Sequence, residues 1–265
     1  MPRFLHRGFD FHYIDGGAGV PFVFQHGLGG SAGQIAEMFP AMENARLICL
    51  DCRNHGDTQP SCAGDRLGFA IFGRDVQALL DHLQIGRAFF GGVSMGAGVS
   101  IRIALDNPDR VAGLLSVRPA WLDGPMPAHR WYTAVARLLA ESGPQARELM
   151  AASEPFRALT ELSPDAAVSL LRQFDAPQAV ERAARLDAMA MDSPIPDLAS
   201  LKSLQMRAHV IATERDPIHP LGLAKTLAAE LPNATFQEIT SKSADLARHM
   251  DELRAAIAQF WILRD

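Results

Sequence analysis

Residues 89–98, Phe-Phe-Gly-Gly-Val-Ser-Met-Gly-Ala-Gly, join a short apolar strand to the start of a helix. Within them, Gly92-Val93-Ser94-Met95-Gly96 fits the Gly-x-Ser-x-Gly pattern of a nucleophile elbow, a sharp strand-to-helix turn that holds its central serine out. Glycines on both sides leave no Cβ to collide there. A helix that begins after Ser94 also points free N–H groups at the site. The stretch predicts a nucleophilic Ser94, although an inert serine in a glycine-rich turn would fit the pentapeptide alone.

Short apolar strands alternate with helical segments on both sides of this stretch. The predicted strands, each ended by turn residues, are 9–14, 21–25, 47–50, 87–90, 111–117, 208–212 and 235–239. This alternation is typical of a mostly parallel, doubly wound α/β sheet. The turn after Gln25, the loop after Leu50 and the elbow are expected at one edge of that sheet, where ligand sites form.

The alternation stops between Trp121 and Leu198, where several helical segments broken by prolines follow one another. We therefore expect residues 1–120 and 199–265 to form the α/β core, and residues 121–198 to form a helical lid inserted between two strands. An ordinary helical subdomain without a gating role is the alternative.

Composition limits the classes of partner. The chain has 265 residues and a formal net charge of −5, which argues against nucleic acid or an anionic membrane surface. No apolar run is long enough to span a bilayer, and the first residues lack a signal-peptide pattern, so a cytoplasmic protein is expected. Three cysteines form neither a disulfide framework nor a paired zinc motif. We expect no metal, no cofactor and a small-molecule substrate; the oligomeric state is open.

Four motifs in the same order resemble those of the α/β-hydrolase superfamily, over nearly the whole chain. They are the turn 24–30 (Phe-Gln-His-Gly-Leu-Gly-Gly), the loop 51–58 (Asp-Cys-Arg-Asn-His-Gly-Asp-Thr), the elbow, and the loop 213–217 (Thr-Glu-Arg-Asp-Pro). In the second motif, Asn54 replaces a usual Gly and Thr58 a usual Ser. The chain is most similar to the small serine esterases, lactonases and cofactor-free haloperoxidase-like members.

The resemblance implies roles for individual residues. Ser94 would be the nucleophile, and the backbone N–H groups of Leu28 and Met95 would form the oxyanion hole. His26 and Gly27 would support the substrate pocket, with Trp121 beside them, and His26 would orient its turn rather than act as a base.

The acid and the base are less clear. Asp216, at the end of a strand, is the expected acid, with Asp123 as the alternative. The superfamily usually places its histidine just after the last strand, where this chain has residues 240–244, Thr-Ser-Lys-Ser-Ala. We predict His249, the one histidine beyond that strand, as the base; His219, and a missing base, are the alternatives.

Serine at the elbow favours acyl chemistry, so the sequence predicts a hydrolase of a small ester, lactone or thioester through an acyl-enzyme on Ser94. A C–C bond hydrolase or perhydrolase using the same triad, and a non-enzymatic binding protein with an incomplete triad, are the alternatives.

Overall fold

Eight strands form one sheet in the computed structural model, which describes residues 2–263. The strands are β1 (Arg3–His6), β2 (Phe9–Gly17), β3 (Val20–Gln25), β4 (Ala45–Leu50), β5 (Ala88–Val93), β6 (Val111–Val117), β7 (Ala208–Ala212) and β8 (Ala234–Glu238). Their order across the sheet is β1-β2-β4-β3-β5-β6-β7-β8, antiparallel from β1 to β4 and parallel from β4 to β8. The predicted mostly parallel α/β sheet is confirmed; β1 was not predicted.

Ten α-helices lie within the same residues. They are α1 (Ala32–Met38), α2 (Phe69–His82), α3 (Met95–Asp106), α4 (His129–Ser142), α5 (Ala146–Ala152), α6 (Glu154–Leu162), α7 (Pro164–Leu171), α8 (Ala184–Met191), α9 (Leu221–Glu230) and α10 (Leu246–Ile262). None of them is long and apolar enough to cross a lipid bilayer.

The sheet is covered on both faces, as its continuous apolar strands require. One face packs against α1 and α10 through a cluster that includes Phe22, Phe24 and Trp261. The other packs against α2, α3 and α9, with Val23 and Phe90 in the larger cluster. Side chains of successive residues in β3 thus point to opposite faces.

Helices α4–α8 all lie between β6 and β7, and no strand interrupts them. This agrees with the helical insertion that the sequence predicts at 121–198. Tyr132 of α4 and several residues of α7 line the cavity that contains Ser94. The role of this helical insertion as a lid stays a prediction.

Candidate active site

The elbow forms where β5 ends and α3 begins. Ser94 lies between them with φ 56° and ψ −112°, a strained backbone conformation for a residue with a Cβ. A Cβ at Gly92 would collide with the backbone of Gly96, and one at Gly96 would collide with the carbonyl of Gln25. Both glycines are therefore needed for the close approach of the turn to β3, and the turn leaves the Ser94 hydroxyl in the cavity.

The imidazole next to the Ser94 hydroxyl is that of His219. Its Nε2 lies 2.9 Å from Ser94 Oγ, and its Nδ1 lies 2.8 Å from Asp216 Oδ2. With the proton on Nδ1, the ring donates to the carboxylate and accepts from the hydroxyl. This is the connectivity of a nucleophile, a base and an orienting acid.

Asp216 and His219 are only three residues apart, and a tight turn between them brings their side chains into contact. Asp216 Oδ1 accepts hydrogen bonds from the backbone N–H groups of Ile218 (3.1 Å) and His219 (3.2 Å). The aspartate therefore folds its own loop back, in the manner of an Asx turn. His219 then faces the elbow just before α9 begins at Leu221.

The prediction that His249 is the base is wrong about its position. Its Nδ1 donates to the carbonyl of Thr240 at 2.8 Å, and its Nε2 has no hydrogen-bond partner among the described residues. The physical reason is that α10 begins at Leu246, directly after a short turn, so His249 lies inside the first turns of the helix and is buried there. His219, the stated alternative, takes the place next to Ser94.

At the other positions considered for the acid and base, the structure has no suitable group. Asp123 is exposed, whereas Asp216 holds His219. In the turn after β8, where the superfamily usually has its histidine, Lys242 lines the same cavity. The charge of Arg118, together with burial, lowers the pKa of Lys242 to about 8.

Arg118 is a site residue that the sequence did not reveal. It follows β6 directly, with φ 48°, and its Nη2 and Nε donate to Asp216 Oδ2 at 2.5 and 3.1 Å. Its Nη2 is also 3.0 Å from His219 Nδ1. These two nitrogens are both donors, and they lie close together because both donate to Asp216 Oδ2. The sequence feature that could have revealed Arg118 is its position as a charged residue directly after a buried strand, at the sheet edge where ligand sites form.

These contacts set the protonation of the triad. Burial by itself raises the pKa of Asp216, but the charges of His219 and Arg118 and their hydrogen bonds hold it well below its ordinary value. Burial lowers the pKa of His219, and Arg118 lowers it further against the opposing effect of Asp216. At neutral pH the aspartate is therefore ionised and the imidazole neutral, as a general base must be.

The turn after β3 lies against the elbow. A Cβ on Gly27 would be 3.6 Å from the Cβ of Ser94, and Leu28 lines the cavity. The Leu28 N–H has no hydrogen-bond acceptor among the described residues. Met95 is the first residue of α3, where a helix offers its N–H no acceptor. Gly27 thus lies against Ser94, and Met95 follows Ser94 in the chain. The oxyanion role of the Leu28 and Met95 amides stays a prediction.

His26 holds this turn to the neighbouring loop. Its Nε2 accepts from the Cys52 N–H at 3.1 Å, so its Nδ1 carries the proton and donates to the Gly27 carbonyl at 2.9 Å. Burial lowers the pKa of His26. The ring is therefore neutral and engaged at both nitrogens, which fits the supporting role predicted for it.

The loop after β4 contains the unusual Asn54, and the structure explains it. Asn54 has φ 61°, a left-handed conformation that asparagine tolerates better than most residues. Its side chain also donates to the Cys62 carbonyl (2.9 Å) and accepts from the Cys62 N–H (2.8 Å). Thr58 supplies the hydroxyl of the usual serine, donating to the Asp51 carbonyl at 2.7 Å.

The cavity in front of Ser94 has a volume of about 780 Å³, within the range of small-molecule sites. The loops after β3, β4, β6, β7 and β8 line it together with α7. The prediction that Trp121 belongs to the pocket is wrong. Trp121 is not among the residues that line the cavity; it is buried, edge-on to Phe69, and its Nε1 donates to the Met189 carbonyl.

A family model described as "alpha/beta hydrolase fold" matches residues 20–246. The chain belongs to this family. The match includes every motif on which the resemblance rests, and the predicted superfamily is confirmed.

Individual relatives agree with the family. The chain is 29% identical over 192 residues to 3-oxoadipate enol-lactonase 2 of Acinetobacter baylyi, covering 72% of this chain and 69% of that protein. It is 36% identical over 110 residues to the dihydrolipoyllysine-residue acetyltransferase component of the acetoin cleaving system of Pseudomonas putida, covering 41% and 29%. For several curated relatives, including this last one, the match spans only about a third of the relative's length.

Among solved structures, the enol-lactonase from Burkholderia xenovorans LB400 superposes with a TM-score of 0.77 over 98% of this chain and 100% of that one. The identity is 20%, so this likeness shows the fold. Family and relatives together support a hydrolase.

Proposed function

We propose that the protein is a serine hydrolase that cleaves a small carboxylic ester, lactone or thioester through an acyl-enzyme on Ser94. The observation that carries the proposal is the unbroken chain of contacts from Ser94 Oγ through His219 to Asp216 Oδ2. A serine hydroxyl is a weak nucleophile at neutral pH unless an imidazole takes its proton as it attacks.

The reaction has two halves. In the first, Ser94 Oγ attacks the substrate carbonyl while His219 Nε2 takes the hydroxyl proton, and the Leu28 and Met95 N–H groups receive the negative charge that forms on the carbonyl oxygen. His219 then gives its proton to the leaving oxygen or sulfur. In the second, water activated by His219 attacks the acyl group and releases Ser94. Asp216 stabilises the imidazolium in both halves.

The contacts of Ser94 and His219 help to separate this function from its alternatives. The non-enzymatic alternative depends on a missing base, and an imidazole 2.9 Å from Ser94 Oγ argues against it. C–C bond hydrolysis and perhydrolysis would use the same three residues, and no contact in the site favours either over ester or lactone cleavage.

Covalent labelling tests the proposal. A fluorophosphonate should label the protein at Ser94, and Ser94→Ala should lose both the label and the hydrolysis of 4-nitrophenyl acetate while retaining the wild-type melting temperature. Labelling at another residue, or unchanged turnover in purified Ser94→Ala, would exclude the acyl-enzyme mechanism.

A further inference from the structure

Two arginines of the helical insertion are buried beside the cavity that contains Ser94. Arg182 precedes α8 and Arg185 lies in its first turn; their exposed fractions are 3% and 2%. Both side chains line the cavity. A guanidinium in such a place needs hydrogen-bond partners and a neutralising charge, because burying an unpaired charge is costly.

Their hydrogen bonds are only partly satisfied within residues 2–263. Arg182 donates from Nη1 to the Gly56 carbonyl (2.7 Å) and from Nη2 to the Thr58 carbonyl (3.2 Å). Arg185 donates from Nη1 to the Arg182 carbonyl (3.0 Å) and, at a long 3.4 Å, from Nη2 to Gln173 Oε1. Within the same residues, the Nε of each arginine has no hydrogen-bond partner.

Neither arginine forms an ion pair with a carboxylate in the part of the chain that the structure describes. Two other arginines of low exposure are paired: the buried Arg53 forms a two-pronged pair with Asp75, and the part-buried Arg118 pairs with Asp216. Arg185 is the clearer exception: the carboxylates of Asp51, Asp57 and Glu181 oppose the charge of Arg182, whereas Arg185 has the like charge of Arg182 beside it. Burial and that like charge lower the pKa of Arg185 to about 10.

The groups near Arg185 do not neutralise it. His55 is buried, and burial together with His26 and Arg185 lowers its pKa well below the ordinary value, so it is uncharged at neutral pH. Asp51, which lines the same cavity, is already engaged by His12, the Ala32 N–H and the Asp57 N–H. Among residues 2–263, Arg185 donates hydrogen bonds to a carbonyl and to an amide oxygen but to no carboxylate, so a bound anion would supply its counter-charge.

The position of Arg185 connects it to the reaction. Gln173, which accepts from Arg185, donates from Nε2 to the Leu28 carbonyl at 3.4 Å, and its amide lies against Gly29. The guanidinium is thus one side chain away from the turn whose Leu28 N–H is the proposed oxyanion donor. A group bound at Arg185 would lie in the acyl part of the substrate or close to it.

We propose that Arg185, with the positive potential of Arg182 behind it, binds a carboxylate of the substrate, so that the preferred substrate is an anionic ester or lactone. This inference rests on the serine-hydrolase function proposed above and adds the substrate class. A guanidinium suits this task because it binds carboxylates with two parallel hydrogen bonds. The carboxylate would supply the counter-charge that the insertion lacks.

Paired substrates test the inference. Mono-4-nitrophenyl glutarate carries a free carboxylate, and the 4-nitrophenyl ester of monomethyl glutarate is its neutral match. Wild-type enzyme should have the higher kcat/KM for the anionic ester. Arg185→Gln should lower the ratio of the two kcat/KM values by about 10- to 100-fold, the loss of a charge-assisted hydrogen bond, and Arg185→Lys should restore part of it.

The matched control is Arg157→Gln, which removes an exposed charge of α6 outside the cavity lining and should keep the wild-type ratio. Equal kcat/KM values for the two esters in wild-type enzyme would overturn the inference while the hydrolase proposal stands. Arg185→Gln lowering both values equally would do the same, since a structural role predicts that result.

Binding of glutarate provides a readout that needs no turnover. Glutarate should raise the melting temperature of the wild-type protein and of Ser94→Ala, and should not raise that of Arg185→Gln. If no ester is hydrolysed but this pattern appears, the hydrolase proposal fails and the anion site stands. If glutarate stabilises Arg185→Gln as much as the wild type, the anion site fails.

Discussion

At the scale of single residues, Arg118 has two opposing effects on the triad. Its guanidinium fixes the Asp216 carboxylate, which orients His219, and its charge disfavours the imidazolium that forms during the reaction. The second effect keeps His219 neutral, and therefore basic, to a lower pH than an unperturbed histidine. A site that works in mildly acidic conditions would benefit from this arrangement.

Replacing Arg118 with Gln should therefore move the acidic limb of the pH profile. Because burial and Arg118 lower the pKa of His219, the wild-type kcat/KM should fall as pH decreases through a midpoint below 6.5. Removing the Arg118 charge should raise that midpoint. A profile of kcat/KM against pH for Arg118→Gln, with Arg215→Gln as the control for a lost cavity charge, checks this. A midpoint that stays in place or moves to lower pH would show that Arg118 does not control the base.

At the scale of elements, the sheet and the elbow could be predicted from the sequence. Both depend on residues that are close together in the chain: the apolar runs of the strands and the glycines around Ser94. The elbow glycines avoid collisions within a few residues, so their pattern can be recognised in the sequence. The histidine that contacts Ser94 could not be identified from such local patterns. It depends on a turn closed by Asp216 Oδ1 and on where α10 begins, and both are settled by packing. Arg118 was missed because its partner is 98 positions away.

Helix α7 should influence acyl-chain selection, because several of its residues line the cavity. Val168 lies at the rim with 49% of its surface exposed, so Val168→Trp can narrow the entrance without disturbing the core. We expect kcat/KM for 4-nitrophenyl octanoate to fall about 10-fold relative to the acetate. Leu162→Trp, at an exposed position of α6 outside the cavity lining, is the matched control and should keep the wild-type ratio. Identical chain-length profiles for the two variants would argue against the lid.

At the scale of the whole molecule, several histidines are buried and neutral. Burial is the main cause that lowers the pKa of His26, His55, His219 and His249. The unfolded chain binds protons at these positions more readily than the folded one. Their contribution to stability is therefore complete above about pH 6.5 and is lost as the pH falls below it.

We therefore expect the free energy of unfolding to decrease between pH 7.5 and 5.5, by about 1.4 kcal/mol for each unit of pKa lowering that is titrated. Urea unfolding at a series of pH values measures this. His55→Gln should flatten the dependence. If the free energy of unfolding stayed constant or increased towards pH 5.5, the buried histidines would not be held neutral in the folded protein.

We propose that Ser94, His219 and Asp216 act as one catalytic unit. The most direct test compares His219→Ala with His249→Ala in single-turnover and steady-state hydrolysis of 4-nitrophenyl acetate, with His249→Gln included in case the buried helix position does not tolerate alanine. We expect His219→Ala to lower kcat roughly 10³-fold or more with a small change in KM, because acylation loses its base. Both His249 variants should keep a kcat close to the wild-type value. A nearly inactive His249→Gln beside an active His219→Ala would show that His249, and not His219, is the base.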